Sequence, residues 1–330
     1  MPLAPRRQPP PIQWALPERL RIGISSCLLG ENVRWDGNTK RNDYILGSLT
    51  QYFEFVPVCP EMAIGLGVPR EPIRLVGSPT APRVLGVETP SLDVTDALAG
   101  YGRRMARQLT DISGYILKAR SPSCGMEHVL VHRGRGRPVK QGTGMYAAAF
   151  MAQRPELPVA EEGHLEDAQL CENFIARVFT LARWQSLAAS GMTPGKLVAF
   201  HTAHKLMLMA HGDAPYRALG RMVAQAGTRP IGALSREYLV ALMTALRTKA
   251  PRKVHANVMD HLAGYLKTTL AREDKAKLRD VIRAYRIGEV PFSVPITLFR
   301  HHFQRHPHPY VAGQVYLDPH PAELALRSEM

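Results

Sequence analysis

This sequence predicts an α/β N-terminal domain with a mostly parallel, Rossmann-like sheet, followed by an all-α C-terminal domain. Three observations carry that reading. Up to about residue 187, short apolar runs alternate with segments of helical spacing, the pattern of a parallel sheet covered on both faces. Beyond residue 195, helix-like segments follow one another with no strand signal of comparable strength. Between them, "SLAASGMTPG" is small, polar and Gly/Pro-bearing, which reads as a linker. At 330 residues the chain also exceeds the size at which one core usually keeps growing, so two domains are expected. The expected division is a disordered lead-in over 1–20, an α/β domain over 21–187 and a helical domain over 195–330.

Each element follows from its own residues. "RLRIGISS" is a short β run that stops at Cys27, and "FEFVPV" is a second that stops at Cys59. "NDYILGSLTQY" between them has helical spacing, and "RVLGV" reads as a third strand. "DVTDALAGYGRRMARQLTD" opens on an acidic first turn and keeps apolar positions at helical intervals, so it is a helix. "GYILKA" is the next strand, ending just before Ser121. "MYAAAFMAQ" and "LEDAQLCENFIARVFTLARWQSL" are helices, with "LPVAEEG" as a strand between them. The second half reads as helices from "GKLVAFHTAHKLMLMA" to "VPFSVPITLFRHHF", closing on an irregular tail.

Composition excludes several classes. A hydrophobic content of 45% and a charged content of 21% belong to an ordinary globular chain. No apolar run approaches the roughly 18 residues of a membrane span, and the N-terminus lacks the apolar stretch of a secretory signal. The cytoplasm is therefore the expected compartment, with no membrane partner. Four cysteines in such a chain do not make a disulfide scaffold. The net charge of +14 is uneven: residues 191–330 carry 20 Lys and Arg against 10 Asp and Glu, and ten of the thirteen histidines. That excess suits an anionic partner such as a nucleotide or RNA, set against the plainer reading of a basic solvated surface.

The cysteines organise the candidate site. Cys27, Cys59 and Cys124 each follow a strand, and in an open parallel sheet those ends gather along one edge where ligands bind. Cys171, among apolar neighbours in a helix, reads as core. Three thiols at one edge fit a metal or cluster site, a cysteine nucleophile, or plain core residues; the absence of any CxxC pair speaks against a closed structural zinc site. Glu61, two residues after Cys59, is placed at the same edge as a candidate proton shuttle. Ser121 and Ser123 flank Pro122 in "SPSCG", where serines also serve turns. Arg34, Asp36, Gly37, Lys40 and Arg41 make a polar loop suited to an anionic or heteroaromatic group. His201 and His204 share a helix face without the HExxH pattern of a zinc site and read as packing residues.

"ISSCLLGENVRWDG", "VPVCPEMAIGLGVPREP", "VTDALAGYGRRMA" and "LKARSPSCG", in that order, resemble the thiouracil desulfidase (TudS) family over about Arg21 to about Val159. The helical half is similar to an uncharacterised domain often fused to these enzymes. The resemblance implies a 4Fe-4S cluster with three Cys ligands, Cys27, Cys59 and Cys124, and one open iron that binds the substrate's sulfur. It implies catalytic roles for Glu61 and for Ser121, with Ser123 the neighbouring alternative. Arg34, Asp36, Gly37 and Lys40 are then expected to bind substrate. The implied reaction is hydrolytic, non-redox removal of sulfur from a thiouracil base or a thiouridine nucleotide such as 4-thio-UMP. The competing expectation is a nucleic-acid-binding or redox-sensing protein with a structural iron–sulfur cluster, its RNA contact made through the basic helical domain.

Overall fold

The structure, a computed structural model, describes residues 14–134, 136–321 and 324. Most of the lead-in expected over 1–20 lies outside the described residues. The chain forms two compact units, one of residues 16–182 and one that begins at residue 183 and also takes in Trp14 and Ala15.

The first unit is α/β, built on two sheets. The strands β1 (Leu20–Ser25), β2 (Phe53–Val58), β5 (Gly114–Leu117) and β8 (Val159–Glu161) form an all-parallel sheet in the order β2-β1-β5-β8. Its connections are the helices α1 (Asp43–Ser48), α2 (Pro60–Ala63), α3 (Thr95–Gln108) and α4 (Met145–Gln153), and α5 (Ala168–Ala189) follows β8. Side chains alternate across each strand and helices cover both faces, so the central strand β5 is buried throughout while the edge strand β2 stays partly exposed. Gly114 faces Val178 and Phe174 of α5, with Ile22 of β1 beside it, while Tyr115 turns the other way onto Phe150 and Tyr146 of α4. Ile22, Ile24 and Ile116 are fully buried between these layers.

A second sheet was not expected. The strands β3 (Ile73–Ser78), β4 (Ala81–Gly86), β6 (Val129–His132) and β7 (Val139–Gly142) make two hairpins that join through parallel β3 and β6. Ile73, Leu75, Val84, Val129 and Val131 pack there with Val94 and Leu98 at the start of α3. "RVLGV" is a strand as read, but it belongs to this sheet. The four-residue strands β6 and β7 are half exposed and joined by "RGRGRP", so a loop-like composition hides them.

The second unit is all-α among its described residues: α6 (Pro194–Ala203), α7 (Lys205–Ala210), α8 (Asp213–Val223), α9 (Ile231–Arg247), α10 (Arg252–Tyr265), α11 (Arg272–Ile287), α12 (Ser293–Arg305) and the short α13 (Pro309–Ala312). Helix α5 runs on through Ala189, past the start of the expected linker, because "SLAA" favours helix. The Trp14 ring packs edge-on against Phe200 and His204. Among the described residues no helix is long and apolar enough to cross a membrane.

Gly23 marks the tightest point of the parallel sheet, since a Cβ there would stand 2.6 Å from the Tyr115 ring. Gly23→Ala is expected to lower stability by about 1–3 kcal/mol through overpacking, read as a reduced midpoint in urea. An unchanged midpoint would contradict this packing.

Candidate active site

The C-terminal ends of the parallel strands supply the thiols and the carboxylates of the site, and the loops beyond them its basic wall. In sheet order the strand ends carry Cys59 after β2, Cys27 after β1, the loop of residues 118–128 after β5, and Glu161 with Glu162 at the end of β8. A cleft of about 420 Å³ opens there, and Cys27, Cys59, Cys124, Glu61, Arg70 and Ser121 all line it.

Each cysteine is held by backbone geometry. Cys27 sits in a 3₁₀ turn (Ser26–Leu29) closed by Gly30 in the left-handed region. Its carbonyl accepts from Lys40 N at 2.9 Å, which ties the polar loop to this turn. Cys59 is the residue before Pro60 opens α2, so the first N–H groups of that turn, from Glu61 and Met62, point at its sulfur. Cys124 lies in "SPSCG", which is fastened on all sides. Ser121 Oγ accepts from Ser123 N (3.2 Å) and Cys124 N (3.1 Å), while carbonyls of Pro122, Ser123 and Gly125 accept from Met145, Ala147 and Gly144 at the start of α4. Gly144 is required for this approach, because a Cβ there would stand 2.5 Å from the carbonyl of Ser123.

Two adjacent glutamates clamp the same loop from β8. Glu162 pairs with Lys118 Nζ and accepts from Ala119 N at 2.7 Å. Glu161, buried, accepts from Met126 N at 2.7 Å, and His164 Nε2 meets Glu127 at 3.1 Å. Ligand atoms of Glu127, Glu161 and His164 lie within 4.8 Å of one another, but their hydrogen bonds brace the backbone after Cys124. Arg120 and His128, on either side of the loop, hold left-handed backbone with φ of 60° and 55°. Such strain in non-glycine residues, on the order of 1 kcal/mol each, persists where surroundings over-determine the chain.

The thiols share one electrostatic environment. Burial pushes Cys27 up to about 11, against the pull of the Lys118 ammonium, and the neighbouring Cys59 adds to the rise. Burial raises Cys59 too, opposed by the N–H groups of Met62 and Glu61. Cys124 is raised well above the usual thiol range by burial, then by the Glu61 carboxylate, against a hydrogen bond from Ser25. A bare thiol held this high is a poor nucleophile, which disfavours the cysteine-nucleophile reading. The same groups suit an electron-withdrawing ligand: three convergent sulfurs, N–H and O–H donors aimed at two of them, and a cation beside the third. Cys27, Cys59 and Cys124 could therefore hold a metal cluster.

Glu61 is anchored at both oxygens. Ser123 Oγ donates to Oε1 at 2.8 Å, and Arg70 donates to Oε2 through Nε (2.9 Å) and Nη2 (2.6 Å). Ser121 is on the cleft wall, whereas Ser123 is fully buried behind it. Arg34 and Lys40 line the cleft beside Trp35; Asp36 and Gly37 do not, and form the turn below. Asp36 accepts from Asn38 N at 3.1 Å and from Arg34 Nε at 3.3 Å, and Gly37 has φ of 74°. Arg70 and Lys118 fall inside the quoted motifs without a role being readable for them, and Glu161 and Glu162 gave no functional signal, since their partners are remote along the chain.

Outside the cleft, Cys171 is buried in α5, with its sulfur 3.5 Å from Tyr44 Oη. In the helical unit His201 Nδ1 meets Tyr238 Oη at 3.0 Å, and His204 Nδ1 donates to the Phe200 carbonyl at 2.8 Å. Burial lowers His201 to about 4 and His204 to about 3, so both are neutral packing residues near pH 7.

An α/β domain with three cysteines, two buried and one half-buried, lining a cleft at the carboxyl edge of its parallel sheet has the ligand-binding crevice of such folds. Residues 22–162 match the family described as 2-thiouracil desulfurase, and the chain belongs to that family. Residues 205–321 match a second family, described as a protein of unknown function (DUF1722). The chain is 28% identical over 157 residues to the uncharacterized protein YbgA of Escherichia coli (strain K12), which spans 47% of this chain and 93% of YbgA. It is 30% identical over 153 residues to the uncharacterized protein YbbK of Bacillus subtilis (strain 168), spanning 44% of this chain and 98% of YbbK. Among solved structures, the [4Fe-4S]-dependent thiouracil desulfidase TudS is 31% identical, with 44% of this chain and 93% of that one covered and a TM-score of 0.36.

The rise of Cys27 from 9.0 to about 11 removes about two powers of ten of thiolate at any pH below 9. Iodoacetamide at pH 8 is expected to modify Cys27 of the iron-free, folded protein at least about a hundredfold more slowly than after unfolding in urea. Equal rates by peptide mapping would contradict the buried environment.

Proposed function

We propose that this protein is an iron–sulfur-dependent desulfidase that removes sulfur from a thiolated uracil by hydrolysis. The observation that carries the reading is the convergence of Cys27, Cys59 and Cys124 on one cleft beside Glu61, within a 2-thiouracil desulfurase domain. The three cysteines would hold a 4Fe-4S cluster and leave one iron without a protein ligand. When bound, the cluster supplies Lewis acidity toward a thiocarbonyl sulfur.

The chain's own residues supply the rest. Glu61 takes a proton from the attacking water at Oε1, the oxygen left outside the grip of Arg70, and Ser123 steadies that oxygen. Ser121, whose oxygen already accepts two backbone N–H groups, keeps its hydroxyl hydrogen to donate into the cleft. The balance is redox-neutral: the ring C=S and water become C=O and hydrogen sulfide, so no external oxidant or reductant is needed.

The wall fits a nucleotide. Trp35, 44% exposed, offers a ring face at the cleft mouth for a pyrimidine. Arg34 pairs with Asp36, Arg70 with Glu61 and Lys118 with Glu162, which leaves the exposed Lys40 and Arg120 to meet a phosphate. A further reading rests on the excess of 20 basic over 10 acidic side chains in residues 191–330: the helical unit binds RNA and presents a thiolated nucleotide within it.

One anaerobic experiment tests these readings. The iron-loaded chain is given 2-thiouracil, 4-thio-UMP and 4-thiouridine-containing tRNA, and sulfide is measured. Sulfide release is expected, faster from 4-thio-UMP than from the free base. Glu61→Gln is expected to keep its iron and lose about 100-fold or more in turnover. Turnover of the tRNA should fall steeply between 50 and 200 mM salt, roughly as phosphate contacts do. No sulfide from any substrate at full iron content would refute the proposal, and salt-independent tRNA turnover would remove the RNA reading.

A further inference from the structure

The side chain of Arg70 is 6% exposed, and that of Glu61 beside it 14%. Arg70 stands in "GVPREP", a turn-rich stretch between α2 and β3 with no helical or strand period of its own. Burying a guanidinium costs several kcal/mol unless its donors are filled, and here they are filled in a particular way. Nε and Nη2 both converge on Glu61 Oε2, at 2.9 and 2.6 Å. Nη2 also donates to the Val33 carbonyl at 2.9 Å, and Nη1 to the Gly67 carbonyl at 2.6 Å. The Arg70 backbone N–H donates to the Trp35 carbonyl at 3.0 Å.

From this geometry we infer that Arg70 is the positioning residue of the reaction, holding Glu61 and the cleft wall in a single arrangement. The inference rests on the desulfidase reading above. A carboxylate on an ethylene stem rotates freely unless both oxygens are engaged. Arg70 saturates Oε2, so Oε1 alone is left for Ser123 and for the reacting water. The same guanidinium grips Val33, whose carbonyl lies 3.9 Å from the Cys59 sulfur, and the backbone of Arg70 grips Trp35. One residue, through its guanidinium and its backbone N–H, thereby ties together the proposed proton acceptor, a sulfur ligand and the substrate wall. Lysine is a poor replacement, because its donors radiate from one nitrogen, whereas Oε2, Val33 and Gly67 are met from three nitrogens of a planar fork.

Arg70 touches none of the reacting atoms, so its role differs from simple bracing in what restores it. In the iron-loaded chain, Arg70→Ala is expected to lower kcat by about 100-fold, as misplaced catalytic groups do, with iron per chain and the visible spectrum unchanged. Millimolar guanidinium should recover at least about tenfold of that loss, and ammonium should not. Arg70→Lys, which keeps the charge and guards against a folding failure of the alanine variant, should lose about tenfold or more at equal iron. Wild-type kcat in either variant overturns the inference, as does a loss that tracks iron content and ignores guanidinium. A second readout needs no turnover. In the iron-free protein, the Glu61 carboxylate stretch, identified by infrared difference against Glu61→Gln, should shift in Arg70→Ala. An unmoved band overturns the positioning role even if wild-type protein releases no sulfide, whereas a shifted band with no wild-type sulfide faults the desulfidase reading alone.

Discussion

Parallel pairing of β1 with β2 on one side and with β5 on the other is the constraint on which the site depends. Parallel strands must all finish at the same edge, so residues 32 and 65 positions apart along the chain arrive side by side without any local motif. The register Ser25↔Val58 places the turn of Cys27 beside Cys59. Cys124 comes from the next strand over, and β8 completes the edge with Glu161 and Glu162. Any change that shifts these strands moves the thiols apart together, which is why the tight contact of Gly23 with Tyr115 matters to chemistry at the edge.

Charge is distributed with the same economy. The cleft wall carries five basic residues, and the three that are partly or fully buried each have a carboxylate: Arg34 with Asp36, Arg70 with Glu61, Lys118 with Glu162. A buried cation left unpaired would cost several kcal/mol. Pairing solves that cost and gives each acid a second task. Glu162 fixes the start of the Cys124 loop, and Glu61 faces the cleft. Three buried or half-buried thiols remain, each raised by desolvation and by its neighbours, and an electron-withdrawing ligand is the natural relief for them.

Much of this was legible in the sequence, for physical reasons. Apolar β-rich runs that stop at Cys27 and Cys59, and one that ends in the loop carrying Cys124, announce both the strands and their ends, so the three cysteines could be placed at one edge before any coordinates. Glu61 followed from its spacing to Cys59. The second sheet was not legible, because β6 and β7 are four residues long, half exposed and joined by an Arg/Gly-rich segment. Nor were Arg70, Glu161 and Glu162, whose partners lie 9 to 44 residues away and share no period with them. Asp36 and Gly37 look like ligands in "RWDGN" yet form its turn, the ordinary use of an Asp-Gly pair. The two serines of "SPSCG" differ only through contacts: one caps the loop toward the cleft, the other binds Glu61.

The proposed cluster ligands are Cys27, Cys59 and Cys124, with Cys171 apart from them in α5. Native mass spectrometry of anaerobically reconstituted protein tests this assignment most directly. The account predicts the mass of one 4Fe-4S cluster on the wild-type chain and on Cys171→Ala, and none on Cys27→Ala, Cys59→Ala or Cys124→Ala. A full cluster on any of those three variants, or its loss from Cys171→Ala in a folded chain, would contradict it.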